Sequence, residues 1–115
     1  MILHITSSSE WRQAQAKGEY FSKTLAADGF IHCSAPEQVV GVTDDLFRGK
    51  HGLVLLCIDE KRLRAEVKWE DLYDCGKEYP HVYGPINLDA VIRVVDFSPN
   101  EDGTISLPED ARAAV

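Results

Sequence analysis

Cysteine is scarce in this chain and stands in no useful spacing. Cys33, Cys57 and Cys75 are odd in number and form no Cys-x-x-Cys pair, so neither a disulfide framework nor a zinc ribbon is indicated. Such usage points to a reducing compartment. Basic charge is short as well. Twelve Lys and Arg stand against 19 Asp and Glu, and a formal net charge of -7 opposes long-range attraction to nucleic acid or to an anionic membrane, although a local basic pocket stays open. Long apolar runs are missing. The longest, Leu53 to Ile58, is far below the roughly 20 residues of a membrane helix, and the N-terminus has neither the basic start nor the extended apolar core of a signal peptide. The expectation is a soluble, cytoplasmic protein without a membrane partner. Repeats and low-complexity linkers are also absent. With 44% hydrophobic residues, the 115-residue chain can build one core and one domain, closing near residue 108 before a polar C-terminal tail.

What the chain does contain is densest in Asp28-Gly29-Phe30-Ile31-His32-Cys33-Ser34. Asp28-Gly29 is a turn dipeptide, and the apolar run after it reads as a short buried strand carrying one imidazole. Ser34 stands three residues before Glu37, the spacing of a capping box, and Pro36 suits a first helical turn. Taken in order, Met1 to Ile5 reads as a first strand whose polar member is His4. Ser7-x-x-Glu10 opens a short helix with an apolar stripe of Trp11, Ala14 and Ala16, closed by Gly18. Glu19 to Ala27 reads as a loop with one helical turn. Val39, Val42, Leu46 and Phe47 fall at helical spacing and predict a second helix over 35–47. Leu53 to Ile58 lacks polar alternation and reads as a central strand covered on both faces. Ala65 to Asp71 alternates as a half-exposed strand should, with Glu70 facing away from Trp69. Tyr79 to Pro85 holds two prolines and a glycine and reads as a rigid, irregular corner that sets His81 and Tyr83 on one side. Val91 to Phe97 is a late strand, 100–103 a turn and 105–107 an edge strand.

His4, His32 and His81 are three of the four histidines and sit in short apolar contexts; His51, in Gly49-Lys50-His51-Gly52, reads as an exposed loop residue. Imidazole titrates nearest physiological pH, so three such residues in core-like surroundings point to a site more strongly than one does. His4 and His32 are expected on neighbouring strands facing one cavity. The same residues allow a plainer reading, in which His4 and His32 satisfy a polar layer of the core, Trp69 and Tyr83 pack, Ser34 caps a helix, Glu70 is solvated, and Tyr20 and Ser22 lie at the surface. Cys33 has no Lys or Arg beside it in the sequence and reads as an inert buried thiol.

Leu3-His4-Ile5, Gly29-Phe30-Ile31-His32-Cys33-Ser34, Gln38, Trp69-Glu70 and Pro80-His81-Val82-Tyr83-Gly84-Pro85 occur in the order found in one bacterial family, number 952 among the domains of unknown function, and over roughly residues 1–108 the chain resembles it. The resemblance implies a small α+β domain of the ADP-ribosyltransferase type, with a split, mainly antiparallel sheet flanked by short helices. In that fold a first-strand His holds a ribose, a second-strand His or aromatic sits beside the other ribose, and a later Glu orients the acceptor or steadies positive charge. His4-Ile5-Thr6, His32 and Glu70 correspond to these elements. NAD is the cofactor the resemblance implies.

Three functions follow. The first is a nucleotide or other ribose-containing ligand held by His4, His32 and Glu70 as catalytic residues, with Thr6, Tyr20, Ser22, Ser34, Gln38, Trp69, His81 and Tyr83 lining the pocket. The second is a noncatalytic domain that binds a metabolite or a protein. The third is a metal-assisted hydrolase ligated by His4, His32, His81 and a carboxylate. It is the weakest, because no two of these histidines have the close spacing of a metal motif, and the expectation is that no metal is held.

Overall fold

Strand β1 (Ile2–Ser7) pairs on both of its edges, and the fold is laid out around it. The computed structural model describes residues 1–39, 41, 52–72 and 74–97. On one edge β1 runs antiparallel to β4 (Leu53–Ile58), with Leu3 opposite Cys57 and His4 opposite Leu56. β4 in turn pairs with β8 (Val91–Asp96), giving the order β1-β4-β8. On its other edge Leu3 exchanges two backbone hydrogen bonds with Ser34, each 2.8 Å. Ser34 lies just past β3 (Ile31–His32), which belongs to a second antiparallel sheet ordered β3-β6-β5, with β6 at Tyr79–Tyr83 and β5 at Glu66–Glu70. The two-stranded pair of β2 (Glu19–Tyr20) and β7 (Ile86–Asn87) stands apart. This is an α+β domain whose antiparallel sheet is split, with short helices α1 (Ser8–Lys17) and α2 (Lys23–Asp28).

Local chemistry accounts for most of these elements. Ser7 caps α1, its hydroxyl accepting from the Glu10 N–H at 3.0 Å and reaching back to Glu10 Oε1 at 3.4 Å. Of the expected stripe, Ala14 is buried and Trp11 is partly buried, while Ala16 is exposed, because the helix turns only its Trp11–Ala14 edge to the core. β4 buries all six side chains, each Leu, Ile or Val stabilising the fold by about 1.5–3 kcal/mol relative to exposure. It is covered on both faces because alternate side chains enter different clusters. Ile2, Val54, Leu56 and Ile58 join Ile31, Val82 and Ile86 on one side; Leu3, Ile5, Leu53 and Leu55 join Val39 and Phe97 on the other.

Three sequence expectations need correction. The loop expected over 19–27 contains β2 and the six-residue α2, which is too short to show helical periodicity. It is fixed by its ends, since Ser22 caps it through the Thr24 N–H at 3.2 Å and Gly29 closes it at φ 83°. The corner expected at Tyr79 to Pro85 is β6, the middle strand of its sheet. Pro80 is tolerated there because its carbonyl accepts from the Cys33 N–H at 3.1 Å, while the N–H it cannot return falls where the chain leaves β3 for Leu3. In place of a capping box between Ser34 and Glu37, a single side-chain bond forms one residue on, with Gln38 Oε1 accepting from the Ala35 N–H at 2.9 Å. Most of the second helix over 35–47, together with 100–103 and 105–107, lies outside the described residues.

Gly84 ends β6 where the chain passes β5. A Cβ at Gly84 would stand 2.9 Å from the Ala65 Cβ. Gly84→Ala should therefore cost about 1–3 kcal/mol through overpacking, with part of it recovered when Ala65→Gly is added. Chemical denaturation of the two single variants and the double variant measures this coupling, and a neutral Gly84→Ala would contradict it.

Candidate functional site

Two clusters of polar side chains meet at β3, one behind the strand and one in front. The rear cluster is centred on His4, which is 7% exposed. Its Nδ1 lies 2.6 Å from the His32 carbonyl oxygen, and since a carbonyl only accepts, Nδ1 carries the proton. Its Nε2 lies 2.8 Å from the Tyr20 hydroxyl, which also reaches Thr6 Oγ1 at 3.0 Å, so one phenolic proton has two acceptors. Burial is the main cause that pushes the His4 pKa down to about 4 and that of Tyr20 up to about 12. Both groups are neutral at pH 7. Every hydrogen-bonding atom of His4 is thus spent inside the protein.

The front cluster lies on the other face of the β3-β6-β5 sheet. Ile31, Val67 and Val82 turn to the core, so by alternation His32, His81, Tyr83, Glu66, Lys68 and Glu70 turn the opposite way. His32 and His81 are cross-strand partners with ring centroids 5.6 Å apart. Phe30 contacts the rings of His32, His81 and Tyr83 at 4.7, 4.4 and 5.3 Å, which buries His81 to 1% exposure. His81 Nδ1–H donates to Glu70 Oε1 at 3.1 Å, and the Tyr83 hydroxyl donates to the same oxygen at 2.5 Å. Hydrogen bonds from Tyr83 first and His81 second hold the Glu70 carboxyl below the usual carboxylate range, and the same contact raises the Tyr83 phenol. The His32 Nε2 is 3.0 Å from Asp28 Oδ2. A ligand can reach His32 and Glu70 here, at 35% and 26% side-chain exposure, together with the half-buried Tyr83 and the exposed Asp28, Glu66 and Lys68.

The sequence expectation of His4 and His32 facing one cavity is therefore corrected. They are joined through the His32 backbone, but the ring of His4 contacts Tyr20 while that of His32 contacts Asp28, Phe30 and His81. The cause is the bridge at Leu3 and Ser34, which sets a carbonyl of β3 between the two imidazoles.

The structure brings together His32, Glu70, His81 and Tyr83 from the expected set. It groups Thr6 and Tyr20 with His4, and Ser22 caps α2 nearby. Ser34 is buried at the bridge to Leu3. Gln38 spans from the Ala35 N–H to the Glu78 carbonyl, 2.7 Å from its Nε2, and so ties the segment after β3 to the approach of β6. Trp69 points to the opposite face from Glu70, 41% exposed, with its indole N–H donating to Glu60 Oε2 at 3.2 Å. Burial pushes the Cys33 thiol far up, as expected of an inert cysteine. Asp28 and Phe30 were missed as site residues. The signal for Asp28 was there, four residues before His32 across a glycine turn. Among the described residues no group of three or more His, Cys, Asp or Glu is gathered as metal ligands would be, and no helix is long and apolar enough to cross a membrane.

The fold and this face define a small α+β domain with a half-exposed carboxylate and imidazole, each fixed from within. A family model described as a protein of unknown function, DUF952, matches residues 5–94, and the chain belongs to that family. Protein CC0527 from Caulobacter crescentus has similar solved structures. One crystal structure is 37% identical with a TM-score of 0.85, covering 96% of this chain and 97% of that one. A crystal structure of a double mutant of CC0527 is 36% identical with the same TM-score and coverage. The solution structure is 38% identical, with a TM-score of 0.79 and coverage of 92% and 91%. No curated protein matches the chain.

The lowered His4 pKa has a consequence for stability. The unfolded ring takes its proton near 6.5 and the folded ring only near 4, so the unfolded state holds more protons between those values. The contribution of a neutral His4 is complete above pH 6.5 and is lost as pH falls toward 4. His4→Gln should flatten the fall in stability across that window, measured by denaturation at stepped pH; an equally steep fall in the variant would contradict the assignment.

Proposed function

We propose that the face formed by His32, Glu70 and Tyr83 binds a nucleotide or another ribose-containing small molecule, in a pocket of the ADP-ribosyltransferase type. The observation that carries this reading is the state of Glu70. One carboxylate oxygen is held by both His81 and Tyr83, and the pair of bonds fixes the orientation of a group that is ionised at neutral pH. Oε2 is then the acceptor turned to a ligand. A preset anion of this kind suits two tasks, accepting hydroxyl donors such as a ribose diol and facing developing positive charge; it does not suit proton donation. His32, held by Asp28, supplies a neighbouring imidazole for hydrogen bonding or proton transfer.

In this reading His4 and His81 do not touch the ligand. They are positioning residues, His4 through the backbone of His32 and His81 through the carboxylate of Glu70. NAD enters through the family resemblance alone, as one ribose-containing candidate among others.

The test is a thermal-shift and NMR comparison of adenosine, AMP and NAD with their deoxyribose counterparts, on the parent chain and on Glu70→Gln. A ribose ligand should stabilise the parent, lose about tenfold in affinity when its 2'-hydroxyl is removed, and lose a similar factor on Glu70→Gln, since hydrogen bonds to charged groups contribute about 1.5–3 kcal/mol. Equal binding of ribose and deoxyribose ligands, or undiminished binding to Glu70→Gln, would contradict the reading.

A further inference from the structure

Lys68 has no part in the ribose reading, yet it lies in the middle of the same face. It stands opposite His81 on β5 and holds Nζ 4.9 Å from the centroid of the Tyr83 ring. Beside it on β5 are Glu66, opposite Tyr83, and Glu70, opposite Tyr79. Among the described residues that β3, β5 and β6 turn to this side, Lys68 is the one lysine or arginine, set between two carboxylates and an aromatic ring. A cation within about 6 Å of an aromatic centroid is held by the ring quadrupole, and a neighbouring carboxylate adds to that attraction.

We propose that Tyr83, Glu70 and Glu66 form a subsite for an organic cation, an ammonium or guanidinium group of a ligand, and that Lys68 is its intramolecular occupant, displaced when the ligand arrives. Glu70 is held by His81 and Tyr83, and the Tyr83 ring rests against Phe30, so a bound cation requires no rearrangement of these two partners, while Glu66 is exposed beside them. Lys68 is exposed on an edge strand, and its long flexible stem can swing into water at little cost. The net charge of -7 favours the approach of a cation. The proposal shares its face with the ribose reading but does not require a sugar.

Choline chloride is the probe, titrated against sodium chloride at matched ionic strength and followed through the Tyr83 ring and Lys68 side-chain resonances and, in variants that lack these, through the choline methyl resonance. Choline should shift the Tyr83 ring saturably where sodium does not, and should release Lys68 from the ring. Lys68→Met should bind choline about threefold more tightly than the parent, and adding Glu70→Gln or Tyr83→Leu to it should weaken binding by about the same factor. Lys68 is exposed, so Lys68→Met keeps its fold even where Tyr83→Leu does not. The proposal is overturned if choline gives no saturable Tyr83 shift in Lys68→Met, or if Lys68→Met and the parent bind it equally. Adenosine binding without choline binding sinks this proposal alone; the reverse sinks the ribose reading alone.

Discussion

The two hydrogen bonds between Leu3 and Ser34 are what the rest of the arrangement depends on. They place β1 between two sheets, and they do so at the point where His4 comes level with the carbonyl of His32. Without the bridge β1 would be an edge strand carrying a buried imidazole with nothing to donate to, and an unpaired polar group of that kind costs about 1–3 kcal/mol. With it, the imidazole closes the gap between the sheets. The polar residue in the first strand is thus part of the joint, and the joint sets where β3 stands.

The site inherits its order from such buried supports. On one side His4 fixes the backbone of His32 while Asp28 fixes its ring; on the other His81 and Tyr83 fix one oxygen of Glu70. In both places a histidine out of reach of solvent holds a group that solvent can reach. Among the described residues no buried side-chain nitrogen or oxygen lacks a partner, so these networks carry no desolvation debt. They favour a single geometry, which is what recognition of a small polar ligand requires.

Much of the fold was legible because its causes are local. The Ser7 and Glu10 pair is a spacing, the unbroken apolar run of β4 reports burial on both faces, and the alternation around Val67 and Trp69 reports a half-exposed strand. β6 was not legible, because whether Pro80 breaks a strand depends on what its neighbour asks of it, and Cys33 is distant in sequence. The histidines read alike in sequence, but the structure divides them between two surroundings. The sequence marks His4, His32 and His81 alike, whereas their difference in exposure comes from Phe30 covering one and from the Leu3–Ser34 bridge enclosing another. That Glu70 turns away from Trp69 followed from strand alternation; that it meets His81 and Tyr83 required the register of β5 on β6.

The central claim is that His4 is a neutral clamp on β3 and does not itself grip a ligand. Long-range nitrogen–proton NMR spectra of the histidine rings at pH 6 test it most directly, because they distinguish the charged ring and both neutral forms. The account predicts a neutral His4 with its proton on Nδ1, bonded to the His32 carbonyl. A charged His4, or a proton resting on Nε2, would contradict it.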